Sequence, residues 1–108
     1  MRKAPERFRR FVENYPGIAT AYENLAGECH RLGPLNARER ALVQLGIAAG
    51  SNMEGSVRSQ VRKALALGMP PNEICHAIIL SVTAIGSPRM MAALTWAEDV
   101  LNKDSEAK

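Results

Sequence analysis

Aromatic side chains are scarce in this chain: one Trp, two Tyr and two Phe among 108 residues. The apolar content, 46% in all, is carried instead by Ala, Leu, Val, Ile and Met. That mix favours helices packed closely through small side chains around one core. Cysteine is nearly absent too. Cys29 and Cys75 stand far apart and match neither a redox nor a zinc spacing, which argues against a disulfide framework and a thiolate metal site. No apolar run reaches the roughly 18 residues of a membrane span, because Gln44, Asn52 and Glu54 interrupt the longest one. The N-terminus is charged and lacks the hydrophobic core of a signal peptide. A cytoplasmic protein in a reducing setting, without membrane contact, is the expectation.

Charge is uneven. Arg2, Lys3, Arg7, Arg9 and Arg10 crowd the first ten residues against Glu6 alone, whereas the rest is close to neutral. Such an arm can touch nucleic acid or an acidic surface. No aromatic–basic interleaving and no nucleic-acid module accompanies it, so nucleic acid ranks last among the partners considered.

Punctuation divides the chain into six helical segments, with no strand pattern, internal repeat or low-complexity linker to compete. The first runs from Pro5 to Asn14 and stops at Tyr15-Pro16, since a residue before proline disfavours helix. Ile18, Tyr22, Leu25, Cys29 and Leu32 then recur at steps of three and four, one apolar face of a second helix that ends at Gly33-Pro34. Asn36 and Glu39 have the spacing of a capping box and open a third helix, apolar nearly all round from Leu42 to Ala49 and therefore expected to be buried. Gly50-Ser51-Asn52 is read as a break and a new cap. A fourth helix follows, with Val57, Val61, Ala64 and Leu65 toward the core, ending at Gly68. Pro70-Pro71 starts the fifth, lined by Ile74, Ile78, Val82 and Ile85. Ser87 is read as the cap of the sixth, with Pro88 at its first position and Met91, Leu94 and Leu101 on its inner side. The organisation expected is a basic arm over 1–10, one domain over 11–101 and a frayed tail over 102–108.

Several segments together carry a resemblance. The central stretch Gly50-Ser51-Asn52-Met53-Glu54-Gly55-Ser56-Val57-Arg58-Ser59-Gln60-Val61 is flanked by Phe11-x-x-x-Tyr15-Pro16, by Gly33-Pro34-Leu35-Asn36-Ala37-Arg38-Glu39-Arg40 and by the run Leu42 to Ala49. Gly68-Met69-Pro70-Pro71-Asn72-Glu73-Ile74 and Ile85-Gly86-Ser87-Pro88 complete the order. The set resembles the AhpD-like / carboxymuconolactone decarboxylase superfamily across roughly residues 11 to 101. The resemblance implies an all-α fold, a homo-oligomer between dimer and hexamer, and a site on the fourth helix. In the peroxidase branch that helix carries Cys-x-x-Cys-x-x-x-His, with a Glu twelve residues before the first Cys. Counted onto this chain, the thiols fall on Met53 and Ser56, the imidazole on Gln60 and the carboxylate on Ala41.

A dithiol peroxidase cycle needs a thiolate nucleophile and a second thiol to resolve it. Met53 has no ionisable sulfur, and Gln60, one turn after Ser56, can hydrogen-bond but cannot shuttle a proton. The expected site is thus a pocket of Ala41, Met53, Ser56 and Gln60, suited to a neutral or weakly polar small molecule. The decarboxylase branch works without the cysteine pair, and Glu54 is then the candidate base or anchor, with Arg58 and Arg62 as a carboxylate clamp. The plainer reading of Glu54 is an i,i+4 ion pair with Arg58. His30 and His76 each follow a Cys, but adjacent helical side chains diverge by about 100° and bite one metal poorly; neither a metal nor a cofactor is expected. Three functions remain: a catalytically degenerate scaffold that binds a ligand or serves a complex, a decarboxylase- or lactone-type enzyme, and a nucleic-acid-associated protein using its basic arm.

Overall fold

The computed structural model describes residues 5–107; Arg2 and Lys3 of the basic arm lie outside the described residues. Every regular element among them is helical. The chain divides into two compact units, Met1–Leu35 and Asn36–Lys108, a boundary that falls beside Gly33-Pro34 and inside the stretch read from sequence as one domain.

The first unit is a pair of helices, α1 (Glu6–Asn14) and α2 (Pro16–Arg31), which pack on each other. Tyr15 separates them and Pro16 takes the first position of α2, where its missing N–H costs nothing. The Phe11 and Tyr15 rings meet at 5.3 Å. Arg7, Arg9 and Arg10 lie on α1, within the helix read from sequence over Pro5 to Asn14, and Arg9 pairs with Glu6 one turn earlier. No residue of either helix is buried, so the core-like spacing of Ile18, Tyr22, Leu25, Cys29 and Leu32 does not correspond to a covered face here.

The second unit contains α3 (Ala37–Ser51), α4 (Glu54–Ala66), α5 (Pro71–Ile79), the single turn α6 (Val82–Ile85) and α7 (Ser87–Ala107). Asn36 accepts from the Glu39 amide at 2.8 Å while the Glu39 carboxylate accepts from the Asn36 amide at 3.0 Å, so the capping box forms in full. The core brings together Leu45, Ala48 and Ala49 of α3, Val57, Val61, Ala64 and Leu65 of α4, Ile74 and Ile78 of α5, and Ala93, Ala97 and Val100 of α7. So many alanines let these helix axes approach closely, which suits the small-residue composition.

Several sequence expectations are corrected. Helix α3 is not buried all round, since Val43 and Ile47 are exposed. The break after it lies later than read: Gly50 and Ser51 are still helical, and Asn52 is the C-cap in the left-handed region at φ 54°, a conformation Asn tolerates better than most residues. Met53, not a polar residue, occupies the N-cap of α4. The segment taken as one fifth helix divides at Leu80-Ser81 into α5 and α6, giving seven helices among the described residues. Finally, α7 buries Met90, Ala93, Ala97 and Val100 in place of Met91, and it continues through the stretch read as a tail.

Candidate functional site

The residues that sequence singled out lie on α3 and α4, and they meet different surroundings. Ala41 sits on α3 in the buried core, 7% exposed. Met53 is 61% exposed at the N-cap. Ser56 and Gln60, one helical turn apart on α4, are both half-buried, and among the described residues neither side chain makes a hydrogen bond. The positions thus place one apolar side chain in the core, one in solvent, and a hydroxyl and an amide between them.

Glu54 is engaged. Its carboxylate accepts from Arg58 Nε at 2.9 Å, and Arg58 Nη1 reaches Asp99 of α7 at 2.5 Å. Lys103 adds a second contact to Asp99 at 3.2 Å. The Asp99 hydrogen bond raises the Arg58 pKa above its ordinary value, against the opposing effect of burial and with Glu54 adding to the rise. Arg58 therefore ties α4 to α7 and is occupied by two carboxylates. Arg62, one turn on, is half-buried and has no ion-pair partner among the described residues; burial, then the Arg58 charge, lowers its pKa. Of the two candidate clamp residues, only Arg62 is unengaged.

The Arg58–Asp99 link has a testable pH signature. The hydrogen bond from Arg58, then that from Lys103, holds the Asp99 carboxyl below the usual carboxylate range. A depressed native pKa contributes stability above the unfolded value of about 3.9 and loses it as pH falls through the native value. Asp99→Asn is expected to lower stability at pH 7, with the gap to wild type closing in strongly acidic urea titrations. A gap that is constant with pH would contradict this role.

A cavity of about 460 Å³ opens elsewhere in the same unit, between α3, α5 and α6. Arg38, Leu42, Gly46 and Gly50 line it from α3 at four-residue steps, a straight row along one helix face. Glu73, His76 and Ala77 of α5, with Leu80, Ser81, Ala84 and Ile85 beyond it, supply the opposite wall. A Cβ built on Gly46 or Gly50 would meet nothing within 4 Å, so these glycines leave open space. Arg38 forms an ion pair with Glu73 at the polar end. That guanidinium is the one compensation for the buried Glu73 Oε1 among the described residues, since no hydrogen bond of good geometry reaches it. None of Ala41, Met53, Ser56 and Gln60 lines this cavity. Its sequence signal was the pair of glycines at four-residue spacing inside a helix, costly for helix formation and hence in need of a reason.

Cys29 is exposed on α2, and Cys75 is half-buried on α5. Burial, and then the Glu98 charge, pushes the Cys75 thiol upward, away from thiolate character. Among the described residues no three His, Cys, Asp or Glu side chains are grouped to hold a metal ion, and no helix is long and apolar enough to cross a membrane.

The second unit is all-helical, with α3 packed against α4 in its core. The chain matches the carboxymuconolactone decarboxylase family over residues 16–99 and belongs to that family. Comparison with curated proteins and with solved structures gave no match.

Proposed function

We propose that this chain is a catalytically degenerate member of its family, one that keeps the helical scaffold and binds a small molecule without thiol redox chemistry. The observation that carries the reading is the N-terminus of α4, where Met53 is the N-cap and Ser56 follows in the first turn; the resemblance counts the motif's two thiols onto these positions. The two cysteines stand instead on α2 and α5. A resolving step requires two sulfurs within bonding reach, and the α4 site has no thiol at all. In the same reading the protein is a cytoplasmic homo-oligomer.

The pocket retained is the α3–α5–α6 cavity, whose size lies within the roughly 300–1,000 Å³ of small-molecule sites. Leu42, Ala77, Leu80 and Ala84 would hold an apolar body, and Arg38 and Glu73 a polar head. A carboxylated γ-lactone is a suitable probe, because the family takes its name from a reaction on such a compound. Saturating probe, at about 100 times its Kd, should stabilise the wild type by about 2.7 kcal/mol in thermal denaturation. Gly46→Leu should abolish that shift by filling the cavity. This variant replaces a mid-helix glycine that faces open space, so it should fold at least as stably as wild type. An equal shift in both proteins, or in neither, would contradict the pocket.

A second reading rests on Glu73 and His76, which lie one turn apart on α5 and line the cavity together with Arg38. A guanidinium to hold a carboxylate, beside a carboxylate and an imidazole to move a proton, would suit an acid–base enzyme for small carboxylates or lactones. Glu54 suits that role less, being paired with Arg58 and 55% exposed in its side chain. Turnover of the lactone that disappears in Glu73→Gln while binding persists would favour the second reading over the first.

A further inference from the structure

Polarity falls in the same direction along both walls of the α3–α5–α6 cavity. On α3 the lining passes from Arg38 through Leu42 to Gly46 and Gly50. Opposite, it passes from Glu73 and His76 through Leu80 to Ala84 and Ile85. The Arg38–Glu73 ion pair joins the two starting points, so charge gathers at one end and the other end is apolar on both sides. Ser81 is the one polar side chain in the far lining, and its hydroxyl donates to the Ile78 carbonyl at 2.6 Å. Leu80 is 64% exposed although it lines the cavity, which leaves apolar surface there to be covered. Every lining residue belongs to the Asn36–Lys108 unit.

Length and head group follow from these walls. Gly50 stands eight residues after Leu42, about 12 Å along the helix axis. The two glycines clear the last part of that length, since a Cβ on either would meet no atom within 4 Å. A compact ring fills only part of such a channel. An extended hydrocarbon chain advances about 1.25 Å per bond and covers it with about ten carbons. At the charged end, Arg38 and Glu73 neutralise each other, so a ligand with net charge would bring in a charge without a partner. Glu73 Oε1 is buried without a hydrogen bond of good geometry, and a guanidinium has more donors than one carboxylate oxygen takes up. A hydroxyl suits both groups, because its oxygen accepts from Arg38 while its proton goes to Glu73. We propose that the cavity takes an unbranched aliphatic alcohol lengthwise, its hydroxyl between Arg38 and Glu73 and its chain over Gly46 and Gly50. The inference rests on the pocket reading of the proposed function and adds the chemical class of the ligand.

Calorimetric titration of the full chain with the straight-chain 1-alkanols from butanol to octanol tests it. Each methylene buried in the channel should tighten binding about fourfold, with one alcohol bound per chain. Gly50→Leu fills the far end of the channel from α3, and Ala84→Leu fills it from the exposed turn α6. In both variants the gain should stop near hexanol, so that octanol binds at least about 10-fold more weakly than to wild type. Butanol should bind within about twofold of wild type in both, which also reports that they are folded. Val43→Leu, on the exposed face of α3, should follow the wild type throughout. Octanoate should bind at least about 10-fold more weakly than octanol, because its charge faces Glu73. An equal gain per methylene in the two filled variants, loss of butanol along with octanol in both, or octanoate binding as tightly as octanol overturns the inference. A lactone shift that Gly46→Leu abolishes, with affinity flat along the alcohols, overturns it and leaves the pocket reading in place. No lactone shift and no binding of any alcohol overturns both.

Discussion

Leu45→Ala is expected to cost about 2–5 kcal/mol of folding stability. Leu45 is 1% exposed at the centre of α3, packed in the cluster that joins this helix to α4, α5 and α7. Many members of that cluster are alanines, among them Ala41, Ala48, Ala49 and Ala64, which have no longer side chain to swing into vacated space. Poor collapse of the cavity puts the cost toward the upper part of the range. A domain of this size has only about 5–15 kcal/mol in total, so the variant should lose a large share of its margin. At about 4–8 °C per kcal/mol, the melting temperature should fall by more than ten degrees. Val43→Ala, on the exposed face of the same helix, should change it little. Equal losses for the two variants would mean that α3 buries a different face.

The second large effect is a gain of chemistry. Met53→Cys with Ser56→Cys is expected to create a disulfide within the first turn of α4. Thiolates are favoured at a helix N-terminus, because the free amides and the dipole stabilise negative charge there. Met53 is exposed at the N-cap and Ser56 is half-buried three residues on, so neither substitution removes a core side chain. Adding Gln60→His returns an imidazole one turn away. Ala41→Glu would complete the family set, but it would put a carboxylate into a core position that is 7% exposed and should cost several kcal/mol by itself. Mass spectrometry after mild oxidation, with Cys29 and Cys75 replaced by Ser, should show the loss of two hydrogens in the double-cysteine chain. Two thiols that remain free in a folded protein would mean that the motif is counted in the wrong register, and the α4 site assignments would go with it.

Local signals in this sequence translated well into local structure. The Asn36 and Glu39 capping box, Pro71 at a helix start, and the row Val57, Val61, Ala64 and Leu65 all appear as read, because each depends on residues within one or two turns. Covering of a face is a different matter. Ile18 and Tyr22 on α2, and Val43 and Ile47 on α3, have core-like spacing or composition and are exposed, since periodicity says which residues share a face and not what lies against it. The α7 inner face was assigned one residue off at Met91, where alanines at 93 and 97 left the apolar stripe too broad to orient. Long-range pairings were invisible for the same reason. Arg58 was paired with Glu54 by its four-residue step, whereas its stronger partner Asp99 is forty-one residues away. Arg38 and Glu73 likewise meet only because α3 packs against α5.

On the proposed function, the chain keeps its family's scaffold without a working thiol pair at α4. Peroxide consumption by the purified wild type, coupled to a dithiol reductant, tests it most directly. The expected rate is that of the reductant and buffer alone, and it should not change in Cys29→Ser or Cys75→Ser. Turnover well above that background which disappears on replacing either cysteine would show that a relocated thiol carries the chemistry, and would contradict the account.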